Sequence, residues 1–186
     1  DKDILIYLAT IINDRIDRNL PVDRKIRFSA YDCLKATGRG TGKRSYELFQ
    51  NALYRLRSTT ITTNIKSGNQ RERAGFGWIE TWRIIEQEMS NGRHVMKAVE
   101  VVINDWMYRA LVHDRRVLTI KAEYFSLKGG LERRLYELAR KHCGKQQHWE
   151  IGLSRLAEKC GTTRDRRKLK LDLNIIAEND SLPDYQ

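Results

Sequence analysis

The stretch that decides the fold is Leu131–Glu178, L-E-R-R-L-Y-E-L-A-R-K-H-C-G-K-Q-Q-H-W-E-I-G-L-S-R-L-A-E-K-C-G-T-T-R-D-R-R-K-L-K-L-D-L-N-I-I-A-E. Leu131, Leu135, Leu138 and Ala139 fall at i, i+4, i+7 and i+8, the apolar stripe of an amphipathic helix. Gly144, lacking a Cβ, suits the left-handed residue that closes such a helix. Arg140 and Lys141 lie in the last turn, where the helix dipole favours cations. His148–Ile151 reads as a short strand, Ser154 as the cap of a helix running to Cys160, and Gly161-Thr162-Thr163 as a turn.

Residues 164–178 satisfy two patterns at once. Leu169, Leu171, Leu173 and Ile175 alternate as a strand would, while Leu169, Leu173, Ile176 and Ala177 fit i, i+4, i+7 and i+8. The length of the run and its lack of Gly or Pro favour a helix. The opposite face then carries Arg164, Arg167, Lys168, Leu171 and Asn174. Helix, strand, helix, turn and cationic third helix are the layout of a winged-helix unit, whose third helix lies in a DNA major groove.

Working outward, the charge agrees. The 186 residues carry 35 Lys and Arg against 24 Asp and Glu, a formal net charge of +11. Such an excess favours a polyanionic partner. A chain of this length can bury roughly 70% of its unfolded surface, so a core needs no covalent staples. Cys33, Cys143 and Cys160 are odd in number and lack C-x-x-C spacing, which fits reduced thiols in a cytosol. No apolar run approaches the roughly 18 residues of a membrane span, and no secretory leader is visible. Without an initial Met, and ending at Leu-Pro-Asp-Tyr-Gln, the chain reads as a fragment of a longer protein.

Upstream, Ile4, Leu5, Leu8, Ile11 and Ile12 mark a first helix over residues 2–13, and Lys25–Ala30 alternates as a half-buried strand. A short helix over 31–37 stops at Gly38. The loop from Gly38 to Arg44 misses the phosphate-loop pattern, because Thr37 and Arg44 stand where Gly and Ser or Thr are required. It is better read as a basic turn, with Arg39, Lys43 and Arg44 as phosphate contacts. Tyr46, Phe49, Leu53 and Leu56 then mark a helix over 44–57. Thr59–Ile65 and Phe76–Ile85 read as a hairpin with Lys66, Arg71 and Arg73 at its tip, a candidate wing. Asn91-Gly92 turns the chain into a further strand, Lys97–Ile103, giving a three-stranded meander over 59–104. Val99, Val101 and Ile103 belong to its core face, and its open edge invites dimerisation. Asn104 or Asp105 caps a helix through Leu111. The apolar Val117-Leu118 leads on to Gly129-Gly130, and the domain boundary falls near residue 115.

The halves repeat. Helix 2–13 corresponds to 131–143, strand 25–30 to 148–151, and the helix ending L-K-A-T-G38 to the one ending A-E-K-C-G161, each followed by a basic-fronted helix. Metal and redox chemistry are poorly supported. His142, Cys143, His148 and Cys160 have no standard zinc spacing. His94, His113, His142 and His148 form no His-x-His pair of the kind a nicking enzyme needs, so neither catalysis, cofactor nor metal is expected.

The segments R-F-S-A-Y-D-C-L-K-A-T-G-R-G-T-G (27–42), L-R-S-T-T-I-T-T-N-I (56–65), E-V-V-I-N-D-W-M-Y-R-A-L (100–111) and L-E-R-R-L-Y-E-L-A-R-K-H-C-G (131–144) resemble plasmid replication initiators of the RepA type, and the likeness continues to N-D-S-L-P-D-Y. That resemblance implies an α+β fold of two tandem winged-helix domains. Residues 1–115 would serve dimerisation and phosphate contacts, and 116–186 base recognition, ending before a second wing. It implies a cytoplasmic, plasmid-associated bacterial protein that binds double-stranded origin repeats (iterons) as a monomer and represses its own promoter as a dimer. Host replication initiator and replicative helicase are the further partners implied. A winged-helix transcriptional regulator is the alternative. Arg164, Arg167, Lys168, Leu171 and Asn174 offer the chemistries that read guanine, thymine and adenine edges. Arg166 and Lys170 lie nearer the flanks as phosphate contacts, and Arg133, Arg134 and Lys141 are further candidates for that role.

Overall fold

The computed structural model describes residues 1–63, 66–67, 70–71, 74–92, 94–113, 120–144 and 146–185. The chain is mixed α/β and divides into two compact units, Asp1–Val117 and Leu118–Gln186.

In the first unit, helix α1 (Lys2–Asp17) buries Ile4, Leu5, Leu8 and Ile12, the stripe its periodicity requires. Strand β1 (Lys25–Phe28) buries Ile26 and Phe28 and leaves Lys25 and Arg27 outside. Helix α2 (Ala30–Ala36) starts where Ser29 Oγ accepts from Asp32 N, and Gly38 beyond its end takes φ +68°. Helix α3 (Lys43–Ser58) buries Phe49, Leu53 and Leu56. Leu8, Ile12 and Leu53 are almost wholly buried, each worth about 1.5–3 kcal/mol. Cys33 lies in this core, where burial pushes its thiol up to about 12.

The strand pairing departs from the three-stranded meander expected over 59–104. Strand β2 (Thr60–Thr63) pairs with β5 (Ala74–Gly77), and β3 (Lys66–Ser67) with β4 (Gln70–Arg71). Strand β6 (Ile79–Glu88) pairs with β7 (His94–Ile103), and the third member of that sheet is β1, in the order β1-β7-β6. What reads as one strand, Phe76–Ile85, is two because the chain is pinned between them. Trp78 N donates to Leu56 O at the end of α3 (3.1 Å), and a Cβ at Gly77 would sit 2.7 Å from Arg57 O. The Asn91-Gly92 turn does join β6 to β7, with Gly92 at φ +74°. Val99, Val101 and Ile103 are fully buried, as expected of the core face. Helix α4 (Asp105–Val112) is capped by Asn104, whose Oδ1 accepts from Met107 N at 2.6 Å. Val117-Leu118 and Arg73 lie outside the described residues.

The second unit is helical among its described residues. A 3-10 turn (Ala122–Ser126) leads to α5 (Gly130–His142), α6 (Leu153–Cys160) and α7 (Arg166–Glu178). The strand expected at His148–Ile151 is not formed: a strand needs a backbone partner, and no other strand occurs among this unit's described residues. Trp149 instead stacks on His142, ring centroids 4.7 Å apart. The cap of α6 is Gly152, so Ser154 lies inside the helix rather than ahead of it. Residues 164–178 resolve as a helix, with Leu169 fully buried and Leu173 and Ile176 half-buried. The core gathers Tyr124, Leu127, Tyr136, Leu138, Ala157 and Leu169. The C-terminal segment folds onto α5: Tyr185 meets Tyr136 edge-on at 5.8 Å, Ser181 Oγ donates to Glu132 Oε1 at 3.2 Å, and Lys121 Nζ pairs with Asp184 at 2.6 Å.

Candidate nucleic-acid interface

Leu169 orients α7. With that side chain fully buried, helical geometry turns Arg167, Leu171 and Asn174 outward and Lys168 and Lys170 to the flanks, and all five are exposed, as is Arg166 at the first turn. Asp165 caps the helix, its Oδ1 accepting from Arg167 N at 2.9 Å and Lys168 N at 3.4 Å. The turn before it is fixed by Gly161 at φ +65°, with Gly161 N donating to Glu158 O and Thr162 N to Ala157 O. Ala157 is fully buried, so this turn is anchored to the core and holds α7 at a set angle to α6. Four of the five expected base-reading side chains therefore share one open surface. Arg164 differs, since its guanidinium pairs with Asp172 in the second turn of α7 and part of its charge is neutralised there. Leu171 is 62% exposed, which leaves an apolar side chain open on this face.

The expected phosphate contacts divide more sharply. Arg166 and Lys170 flank the α7 face and are exposed, as is Lys141 at the end of α5. Arg133 is used by the fold: Nε donates to Leu127 O at 2.7 Å, Nη2 to Phe125 O at 3.3 Å, and the guanidinium lies 5.2 Å from the Tyr124 ring centroid. Arg134 ties α5 to α6 through Lys159 O at 2.9 Å and pairs with Glu137 at 3.2 Å. Both cations thus hold the 3-10 turn and α6 in place, a task the sequence pattern conceals. In the first unit Arg39 pairs with the buried Asp3 at 3.1 Å, fastening the turn after α2 to α1. Lys43 and Arg44 are exposed at the start of α3, Lys43 lying 4.0 Å from Glu47. Lys66 and Arg71 are register partners in the β3–β4 pair.

Two other features escaped the sequence. Glu100 is buried in the outer face of the β1-β7-β6 sheet among Arg83 (2.6 Å), Lys25 (3.1 Å) and Arg27 (3.7 Å). The hydrogen bonds from Arg83 and Lys25 hold its carboxyl below the usual carboxylate range. Only the strand register, Arg27 and Arg83 both opposite Glu100, brings these charges together. Second, His142 faces Lys159, whose Nζ is 3.3 Å from its Nε2, and burial together with Lys159 and Lys141 pulls the imidazole below 6.5. Of the residues weighed as zinc ligands, His142 is stacked on Trp149 and Cys143 Sγ donates to Gln146 O at 3.1 Å. Among the described residues no helix is long and apolar enough to cross a membrane.

A curated protein of Wigglesworthia glossinidia brevipalpis, "Putative replication protein", is 36% identical over all of this chain, which spans 67% of its length. Two crystal structures of domains 2 and 3 of RctB share the fold. One has TM-score 0.64 at 18% identity, with 92% of this chain and 66% of that one covered. The other has TM-score 0.57 at 16% identity, with 92% and 65% covered. The chain thus spans about two thirds of each of these relatives. The profile of the family named Replication initiator protein A matches residues 1–186 throughout, and the chain belongs to that family of replication initiators.

Proposed function

We propose that this chain is the tandem winged-helix part of a plasmid replication initiator, binding double-stranded DNA by sequence at origin repeats and repressing its own promoter. The observation that carries this is the α7 surface, where Arg167, Lys168, Leu171 and Asn174 stand exposed behind a core-anchored turn. Arg and Lys suit guanine O6 and N7, Leu the thymine methyl, and Asn the adenine N6 and N7 edge. Arg166 and Lys170, one turn apart on one flank of that face, take phosphates. In the first unit, α2 and α3 form the helix pair, and the β1-β7-β6 sheet supplies the three strands of a winged helix. On this reading the wing is the β6–β7 hairpin turning at Asn91-Gly92, rather than the 59–85 segment. Self-association through an open sheet edge would make the repressing dimer, while monomers occupy the repeats. Recruitment of a host initiator and the replicative helicase completes the initiation role, in a bacterial cytoplasm.

The test is a titration of the chain on its own replicon's origin DNA and on random duplex of equal length, followed by fluorescence anisotropy at several salt concentrations. Arg167→Ala is expected to weaken the origin complex by about 1–3 kcal/mol while barely changing random-duplex binding. Equal losses on both would refute base reading by α7. A footprint confined to a promoter palindrome, with none over origin repeats, would make the protein a regulator without an initiation role.

A further inference from the structure

Arg164 stands just ahead of α7, in the turn before its cap, and is fixed at both ends. Its backbone N donates to Thr162 Oγ1 at 3.2 Å, and Thr162 N in turn is anchored to the buried Ala157. Its side chain runs forward over the first turn of α7, where Nη1 donates to Asp172 Oδ2. By contrast, Arg134–Glu137 and Arg155–Glu158 in the same unit pair three residues apart within one helix. Arg164 and Asp172 are eight residues apart and join the turn to the helix. Asp172 lies about 60° round the helix from Leu169, at the rim of the core. Its side chain is 31% exposed, whereas that of Arg164 stays 60% exposed.

On a surface that meets DNA, a carboxylate is a handicap, because it repels phosphates whatever the sequence. Folding gives little reason for it either, since ion pairs open to solvent contribute little to stability. What the pair does supply is direction. A free arginine samples many rotamers and can meet a phosphate from most of them. With Nη1 turned to Asp172, the plane of the guanidinium is set, and Nε and Nη2 remain as parallel donors. Arg55 uses that same edge on Asp1 in the first unit, both bonds at 2.6 Å. Two parallel donors at a fixed angle match guanine O6 and N7.

We propose that Asp172 is a positioning residue for DNA reading: it aims Arg164 at one guanine and so sets the preference at one base pair of the recognised site. The proposal rests on base reading by α7 and adds the residue that turns Arg164 from a general cation into a specific one. Asp172 lowers affinity for DNA in general and raises the ratio of cognate to random binding.

The experiment titrates the whole chain, by fluorescence anisotropy, onto the origin DNA it protects, onto versions with each G·C pair replaced in turn by A·T, and onto random duplex. The variants are Asp172→Asn, Arg164→Lys and the two combined, with thermal unfolding as a check on the fold. Asp172→Asn should lose about 5- to 150-fold discrimination at one G·C pair. It should also bind random duplex more tightly, because a negative charge is gone. Arg164→Lys keeps the charge and loses the fork, so it should lose discrimination at the same pair. The double variant should lose no more than either single one. An altered base preference at an unchanged melting temperature is the signature that a role in folding alone would not give. If Asp172→Asn tightens origin and random DNA equally, with every base preference intact, the acid only damps phosphate binding and the proposal fails. A lowered melting temperature with uniform losses on all DNA overturns it too, as do losses at different pairs for the two single variants. In each of these cases the α7 function stands if Arg167→Ala still distinguishes origin from random DNA. A parent chain that prefers no sequence at all ends both.

Discussion

The side-chain amide of Asn104 donates to the carbonyl of Gly77 at 2.6 Å. The same amide reaches Trp78 O at 3.2 Å, and its Oδ1 caps α4 at Met107 N. One buried residue therefore holds the break between β5 and β6 against the start of the helix that follows β7. Replacing it with alanine removes the cap, worth about 1 kcal/mol, and orphans carbonyls at about 1–3 kcal/mol. A loss of about 2–4 kcal/mol in urea unfolding is expected for Asn104→Ala. Asn104→Asp keeps the acceptor but loses both donors, so it should rescue little of that.

The two glycines of β5 should behave in opposite ways. A Cβ at Gly77 meets Arg57 O at 2.7 Å and Ile79 O at 3.0 Å, both backbone atoms unable to rotate away. A Cβ at Gly75 lies 3.6 Å from a Thr60 methyl, an ordinary contact. Gly77→Ala should cost about 1–3 kcal/mol or more, while Gly75→Ala should be neutral or slightly stabilising because alanine restricts the unfolded chain. Thermal unfolding of both variants side by side is the measurement.

Arg133 and Lys170 separate cations that hold the fold from cations that face DNA. Arg133→Ala leaves Leu127 O and Phe125 O without their donor, so its effect should be a lowered melting temperature with an unchanged salt slope per bound molecule. Lys170→Ala should leave the melting temperature where it is and lower the salt slope by about 0.9. Calorimetry paired with anisotropy at three salt concentrations distinguishes the two.

Acid should act on the two units in turn. His142 has its folded value pulled below 6.5, so it binds fewer protons folded than unfolded; the stability it gives is present above 6.5 and fades as pH falls through the lowered value. Glu100 is likewise depressed, from 4.5, so its contribution holds above 4.5 and is lost at more acid pH. His142→Phe should flatten the upper part of the acid limb and Glu100→Gln the lower part, read by urea midpoints across the pH range. Identical curves for a variant and the parent chain would rule out that group's contribution.

The sequence by itself determined the helices and their faces. Leu169, Leu173 and Ile176 chose the inward side of α7, and once they did, Arg167, Leu171 and Asn174 had to point out, because helical geometry links spacing to direction. Gly38, Gly92, Gly144 and Gly161 were legible as turns, and all four take positive φ. What only the tertiary structure decided was pairing. Nothing local in Phe76–Ile85 says that the chain is stapled to α3 at Trp78 and split between two sheets, or that β1 joins β7. His148–Ile151 has the composition of a strand and, among the described residues of its unit, no partner to make it one. Arg133 and Arg134 belong to the same basic pattern as Arg166 and Lys170, yet a backbone carbonyl outside α5 claims each. Hydrogen-bond partners are set by which backbone ends lie nearby in space, and spacing along one chain carries only the direction of each side chain.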